Sequence, residues 1–326
     1  MPDLLTHVWF SEKVAAALPE ETAGRLVSPL YVHGAAGPDV WFSCGFYGTK
    51  DKANAPRGNY MHEHLSGEFL TALLKQTKTA KNRDGMFSYL AGYLCHYALD
   101  QIAHPYIIAH TGNYDGTEET RAYRGNHMRL ERAIDCYIIR RKYHSTPSRF
   151  DLAGHAVPLR RFPRDMKKDI DLVYRRVYGW EDTWEALNRA LRDQRLLYRL
   201  VNDPTGLLGQ ATKLFDNGVS TYDYTLMSYH GRDLDGEKID YLNLRHTPWR
   251  HYADPSLESS ESFPELVEKA RKKAAVWIGM AYEHAYRDKG TAEEFSAAIG
   301  SVSYTSGFPC FDERNFQPFQ YEPIFS

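Results

Sequence analysis

His96, Asp100 and His104 stand four residues apart in the stretch LAGYLCHYALDQIAHPYI. On an α-helix each four-residue step turns about 400°, so three such side chains fan over only about 80° of one face and can converge on one place. Two imidazoles and a carboxylate are the ligands a Zn²⁺-class ion takes where thiolates are lacking, and a carboxylate can bridge two ions. A lone histidine on an apolar helix is more often a satisfied core residue. Three ionisable groups in register among Leu90, Tyr93, Leu94, Tyr97, Leu99 and Ile102 would each need a buried partner, which favours a site. His127 and Glu131 in GNHMRLERAIDCY repeat the i, i+4 relation, with Asp135 one turn further on. Two such helices can face each other across a bundle, the usual way to build a multinuclear centre from helices. A solvated polar face paired with Arg129, Arg132 and Arg140 is an equally good account of that second pair taken alone.

These residues need a scaffold of helices. Helical periodicity dominates the chain and alternating strand-like runs are few, so the sequence predicts an all-α protein with long structured loops. Expected helices begin near Thr6 and cover about 62–77, 84–110, 120–142, 164–197, 204–217 and 261–288, with Asp84 as an N-cap and Pro105 kinking or ending its helix. The segment YVHGAAGPDVWFSCGFYGTKDKANAPRGNY, rich in Gly, Pro and aromatics, predicts a structured loop. The aromatic, polar stretch from about 219 to 262 is a candidate lid. Residues 304–326 read as a tail wrapping the surface. With no repeat or linker evident, one domain over 1–326 is expected, with the metal site in about 1–145 and the lid and supporting helices in about 146–326.

Composition sets the remaining bounds. The 326 residues are 43% hydrophobic and 25% charged, enough to bury a large core, and the net charge of −2 gives no strong nucleic-acid signal. Cys44, Cys95, Cys136 and Cys310 are scattered without a CxxC pair, which predicts reduced thiols. An acid in the first residues, MPDLLTHVWFSEK, and the lack of a run near 18 apolar residues predict a cytoplasmic protein with no transmembrane segment. Oligomeric state has no signature in the sequence.

Taken together, MPDLLTH, GAAGPD, MHEHLSGEF, GYLCHYALDQIAHP and NHMRLERAID resemble the zinc-dependent phospholipase C family. The resemblance is strongest over residues 1–140. It implies an all-α fold related to the fungal single-strand nucleases, a centre of two or three Zn²⁺ ions, and a phospholipid or other phosphodiester as substrate. Carried over residue by residue, it implies Asp39, His62, His96 and Asp100 around one ion, with Asp100 able to bridge. His104, His127 and Glu131 would hold a second, although the short Asp100 to His104 spacing also allows His104 to join the first. His7 would serve a third. Asp39 would double as general base, and Asp135 would orient His127 or balance the arginines. His62 is preferred over His64 because its register in MHEHLSGEF matches the family. His33 is a weaker ligand candidate, and His110 reads as structural. Trp41, Phe42 and Tyr47 could wall a pocket. His246, Trp249, His251 and Tyr252 could reach substrate from the lid, though packing is the commoner role of such aromatics. A nuclease or soluble-phosphodiester hydrolase on the same fold, or a non-catalytic metal-binding protein, stands as the alternative.

Overall fold

A computed structural model describes residues 4–46, 50–112, 120–216 and 239–316. It is all-α apart from one antiparallel hairpin. The helices are α1 (Leu4–Ala15), α2 (Glu20–Ala23), α3 (Ser28–Ala35), α4 (Pro56–Glu63), α5 (Ser66–Thr79), α6 (Arg83–Thr111), α7 (Arg121–Arg141), α8 (Leu152–Ala156), α9 (Lys167–Tyr178), α10 (Thr183–Asn202), α11 (Leu207–Asp216), α12 (Phe263–Arg287) and α13 (Ala292–Ile299). Strands β1 (Trp249–His251) and β2 (Asp254–Ser259) form the hairpin inside the candidate lid stretch.

The long helix α6 is the axis of the molecule. It is buried along nearly its whole length because apolar residues occupy all its faces, and α1, α3, α5, α7 and α12 pack around it. One contiguous buried cluster runs from Leu4 to Tyr304. The crossing of α3 over α6 is set by two glycines: a Cβ on Gly34 would lie 2.4 Å from the Tyr89 carbonyl oxygen, and one on Gly92 would lie 2.2 Å from that of Tyr31. Only bare backbone lets the two helices come this close. The GAAGPD segment is therefore the end of a helix leading into a 3₁₀ turn over Gly37–Ser43, more regular than the loop its composition predicts.

Four expected boundaries differ. The N-cap of α6 is Asn82, whose side chain accepts from the Gly85 amide at 2.9 Å, and Asp84 instead accepts the Tyr286 hydroxyl at 2.5 Å. Pro105 neither ends α6 nor stops it short of Thr111, and the Gln101 carbonyl that it frees is met by Gly307, where a Cβ would come within 2.4 Å of that oxygen. The helix expected over 62–77 is two helices. Leu65 takes the left-handed conformation at φ 56°, and the His62 carbonyl accepts from the Tyr304 amide at 2.9 Å instead of continuing the helical ladder. Likewise 164–197 is divided by Gly179 at φ 71°, which caps α9.

The described part of the candidate lid is packed against the C-terminal end of α6. Trp249 is buried edge-on to Tyr106, Tyr252 joins Ile108 in a small apolar cluster, and His251 Nε2 hydrogen-bonds the Ser306 carbonyl at 2.9 Å. Residues 217–238 of that stretch and 317–326 of the expected surface tail lie outside the described residues. The described start of the tail is anchored by Tyr304, 1% exposed, while Phe311 and Phe316 further along are 76% and 72% exposed.

Candidate metal centre

α6 carries His96, Asp100 and His104 on one buried face. Around it the fold gathers His7 from α1, Asp39 from the 3₁₀ turn, His62 from α4, and His127 and Glu131 from α7. Three sets of ligand atoms fall within 4.8 Å of one another: His7, His96 and Asp100; Asp39, His62 and His96; and His104, His127 and Glu131. His96 joins the first two sets, and His104 sits with α7. His7 Nε2 is 3.3 Å from Asp100 Oδ1, His96 Nε2 is 3.0 Å from Asp100 Oδ2, and His62 Nε2 is 3.2 Å from Asp39 Oδ1 and 3.9 Å from Asp100 Oδ2. In the third set His127 Nε2 is 2.7 Å from Glu131 Oε1.

The histidines are aimed by their other nitrogen. His62 Nδ1 donates to the Gly58 carbonyl at 2.7 Å and His96 Nδ1 to the Ala35 carbonyl at 2.9 Å, which leaves each Nε2 lone pair pointing at the carboxylates. Thr111 Oγ1 is 3.4 Å from His127 Nδ1. Gly37 is at φ 53° directly under His96, where a Cβ would lie 2.4 Å from the ring, so only glycine lets the turn bring Asp39 over the histidine. Asp135 also reaches α1. Its Oδ1 accepts from the Thr6 amide at 2.9 Å and the Thr6 hydroxyl at 2.6 Å, fixing the start of α1 beside His7.

The electrostatics fit a bound cation. Buried Nε2 atoms of His7, His62 and His96, both nitrogens of His104, Oδ1 of Asp39 and both oxygens of Asp100 make no hydrogen bond. Each such group costs about 1–3 kcal/mol if left so, and all are metal donors. Burial would raise the Asp100 carboxyl, but His96 and His7 beside it outweigh burial and hold it well below its ordinary range. Burial, with His96 adjacent, pushes His7 down, and burial holds His104 well below its usual value. Burial disfavours a charged His96 too, yet Asp100 and Asp39 outweigh it and raise this ring. The lowered His7 and His104 and the ionised Asp100 are in the protonation states that metal ligation requires.

With this geometry in view, a family model described as zinc dependent phospholipase C matches residues 6–183. The chain belongs to the zinc-dependent phospholipase C family. All eight ligand candidates fall inside the matched stretch. No curated protein and no solved structure matches the chain.

Other candidates for this phospholipase C family member's site lie elsewhere. His64 lies tilted against Tyr60 at 4.6 Å, His110 Nδ1 bonds the Tyr106 carbonyl within its own helix, and His246 Nδ1 bonds the Ser260 carbonyl. Trp41 is fully buried, edge-on to Tyr174 and Trp180. Phe42 is 40% exposed and stacks on His62 at 5.6 Å. Tyr47 is outside the described residues. The four cysteines are buried, outside disulfides and outside the ligand sets. Among the described residues no helix is long and apolar enough to cross a membrane.

Sequence reasoning missed Tyr304. Its ring packs 5.1 Å from His62 and 5.6 Å from His96, walling both rings from outside the family-matched stretch. An aromatic residue in a proline-rich tail carries no periodic signal that could have marked it.

His33 lies flat against Tyr89 and edge-on to Phe162, outside the ligand sets. Burial pushes its imidazole down to about 3. The unfolded chain protonates this ring below about pH 6.5 where the fold does not, so its contribution to stability is full above that pH and is lost as pH falls toward 3. The loss is about 1.4 kcal/mol per pH unit. Urea unfolding at pH 7 and pH 5 should show the parent protein losing about 2 kcal/mol that a His33→Phe variant keeps. Equal losses in the two proteins would refute this account.

Proposed function

We propose that this chain hydrolyses a phosphodiester of the phospholipid type. Water attacks phosphorus, the bond from phosphorus to the glycerol oxygen breaks, and a diacylglycerol-like alcohol and a phosphorylated head group leave. The observation that carries this reading is the convergence of buried, unbonded Nε2 and carboxylate oxygens on one another, with Asp39 as the most exposed member of its group at 13%.

Asp39, His62 and His96 would hold one zinc ion, with His7 and Asp100 bordering the same space, and His104, His127 and Glu131 would hold another. Bound there, zinc lowers the pKa of water toward neutrality and offsets negative charge on the phosphoryl oxygens during in-line displacement. Asp39 supplies the base. Its Oδ1 faces His62 and His96, which leaves Oδ2 to take the proton of the attacking water. Tyr304 and the buried rings exclude bulk water from the inner side, and Phe42 offers an apolar lip beside His62 for the glyceride part of the substrate.

Elemental analysis should find zinc at two or three ions per chain. Hydrolysis of bis(p-nitrophenyl) phosphate and of phosphatidylcholine should fall about 10²–10⁴-fold in kcat for Asp39→Asn, the usual effect of losing a positioned base. A panel extended to soluble nucleotides and single-stranded DNA ranks the substrate classes. Stoichiometric zinc with no ester hydrolysed anywhere in that panel would leave a binding protein and sink the enzymatic reading.

A further inference from the structure

At the end of α6 remote from its ligand face lies a cleft of about 620 Å³, closed by the segment after α2, the turn between α5 and α6, and the last turns of α12. Four cationic side chains line it, Arg25, Lys81, Arg83 and Arg287, against one carboxylate, Asp84. This is a local surplus of positive charge on a chain whose net charge is −2. Arg83 is 13 residues before His96 on the same helix, about 20 Å along its axis, so the cleft is separate from the metal centre.

Three of the cations lie against aromatic faces, and two of these also meet carboxylates. The guanidinium of Arg25 lies 4.9 Å and that of Arg83 5.8 Å from the Tyr286 ring, and that of Arg287 lies 5.9 Å from Tyr282. The Tyr286 hydroxyl donates to Asp84 Oδ1 at 2.5 Å, which ties up the one acidic group. Arg25 is 3.8 Å from Asp84, and Arg287 pairs with Glu21. Lys81 and Arg83 make no ion pair among the described residues. A flat carboxylate would engage one guanidinium fork. A tetrahedral phosphate presents acceptors in several directions and suits a fork and an ammonium on one wall, Arg83 and Lys81, with Arg25 beside them. The volume falls in the range of small-molecule sites and leaves room for the alcohol that bears the phosphate.

We propose that this cleft binds a phosphate monoester group, either on a soluble metabolite or on the head group of an anionic lipid. The test uses the full chain with its metal, a Lys81→Gln/Arg83→Gln variant, and a Lys168→Gln/Arg176→Gln control that removes the same charge from the exposed face of α9. Equilibrium dialysis with glycerol 3-phosphate reports the soluble source. Co-sedimentation with vesicles of equimolar phosphatidylcholine and phosphatidic acid reports the lipid source. Both cleft residues are exposed, so circular dichroism should show a folded variant, and hydrolysis of bis(p-nitrophenyl) phosphate should match the parent. Affinity should fall about tenfold or more in the cleft variant and hold in the control, as expected for losing two charge-assisted contacts. A fall in both arms supports the phosphate group itself as the determinant, while a fall in one arm alone supports the site and names its source. No binding by the parent in either arm, equal binding by parent and cleft variant, or an equal fall in the control overturns the proposal.

Discussion

Asp100→Asn should remove zinc from the centre and abolish turnover while leaving a folded protein. The substitution keeps shape and volume at a fully buried position, so packing changes little. The lost charge is what matters. Both oxygens of Asp100 face histidine Nε2 atoms, with His7 on one side and His96 and His62 on the other. An amide presents one acceptor and two donors to nitrogens that need an acceptor or an ion. Removing a partner one step behind a metal ligand usually costs 10–100-fold in affinity, so loss of this shared carboxylate should exceed about 100-fold. Zinc content after dialysis against a graded metal buffer, measured beside kcat, checks it. A variant that retains its full zinc complement would remove Asp100 from the centre.

Stripping the metal with a chelator should lower the melting temperature by roughly 5–8 °C, the shift that about 4 kcal/mol produces in a chain of this size. The physical source is visible in the geometry of the donors. Asp100 is held in its ionised form in a fully buried setting, faced by imidazole Nε2 atoms that make no hydrogen bond, with His7 stacked on His96 at 3.9 Å. An ion converts those uncompensated groups into ligands, and the binding energy becomes folding energy. Re-adding zinc should restore the transition, and adding magnesium should not, because imidazole-rich sites suit zinc and oxygen-rich sites suit magnesium. An unchanged transition after verified metal removal would contradict the account.

How much of this was legible in the sequence varies by residue. The i, i+4 spacing of His96, Asp100 and His104 marks one helix face from residue types alone, and the helix is there. His7, Asp39 and His62 have no such local pattern, and only the family resemblance singles them out, because the fold brings them from three separate elements. The break at Leu65 carried only a weak signal, the Ser66-Gly67 pair just after it, which the helical periodicity around it concealed. It depends on the Tyr304 amide, more than two hundred residues downstream, taking the His62 carbonyl. The break at Gly179 did carry a signal, which the strong helical periodicity on either side concealed. α3 was obscured by the very glycines that let it cross α6.

Tyr304 also bears on when the centre can be finished during synthesis. Every candidate ligand lies within the first 131 residues, so a growing chain has all its metal donors long before it has the ring that walls His62 and His96. Domains gain structure from the N-terminus as they are made, at about 5–20 residues per second. On that scale the donors wait on the order of ten seconds or more for the residue that encloses them. A ribosome-bound chain stalled before residue 304 should therefore present an open centre that exchanges zinc freely, and release of the full chain is the event that closes it.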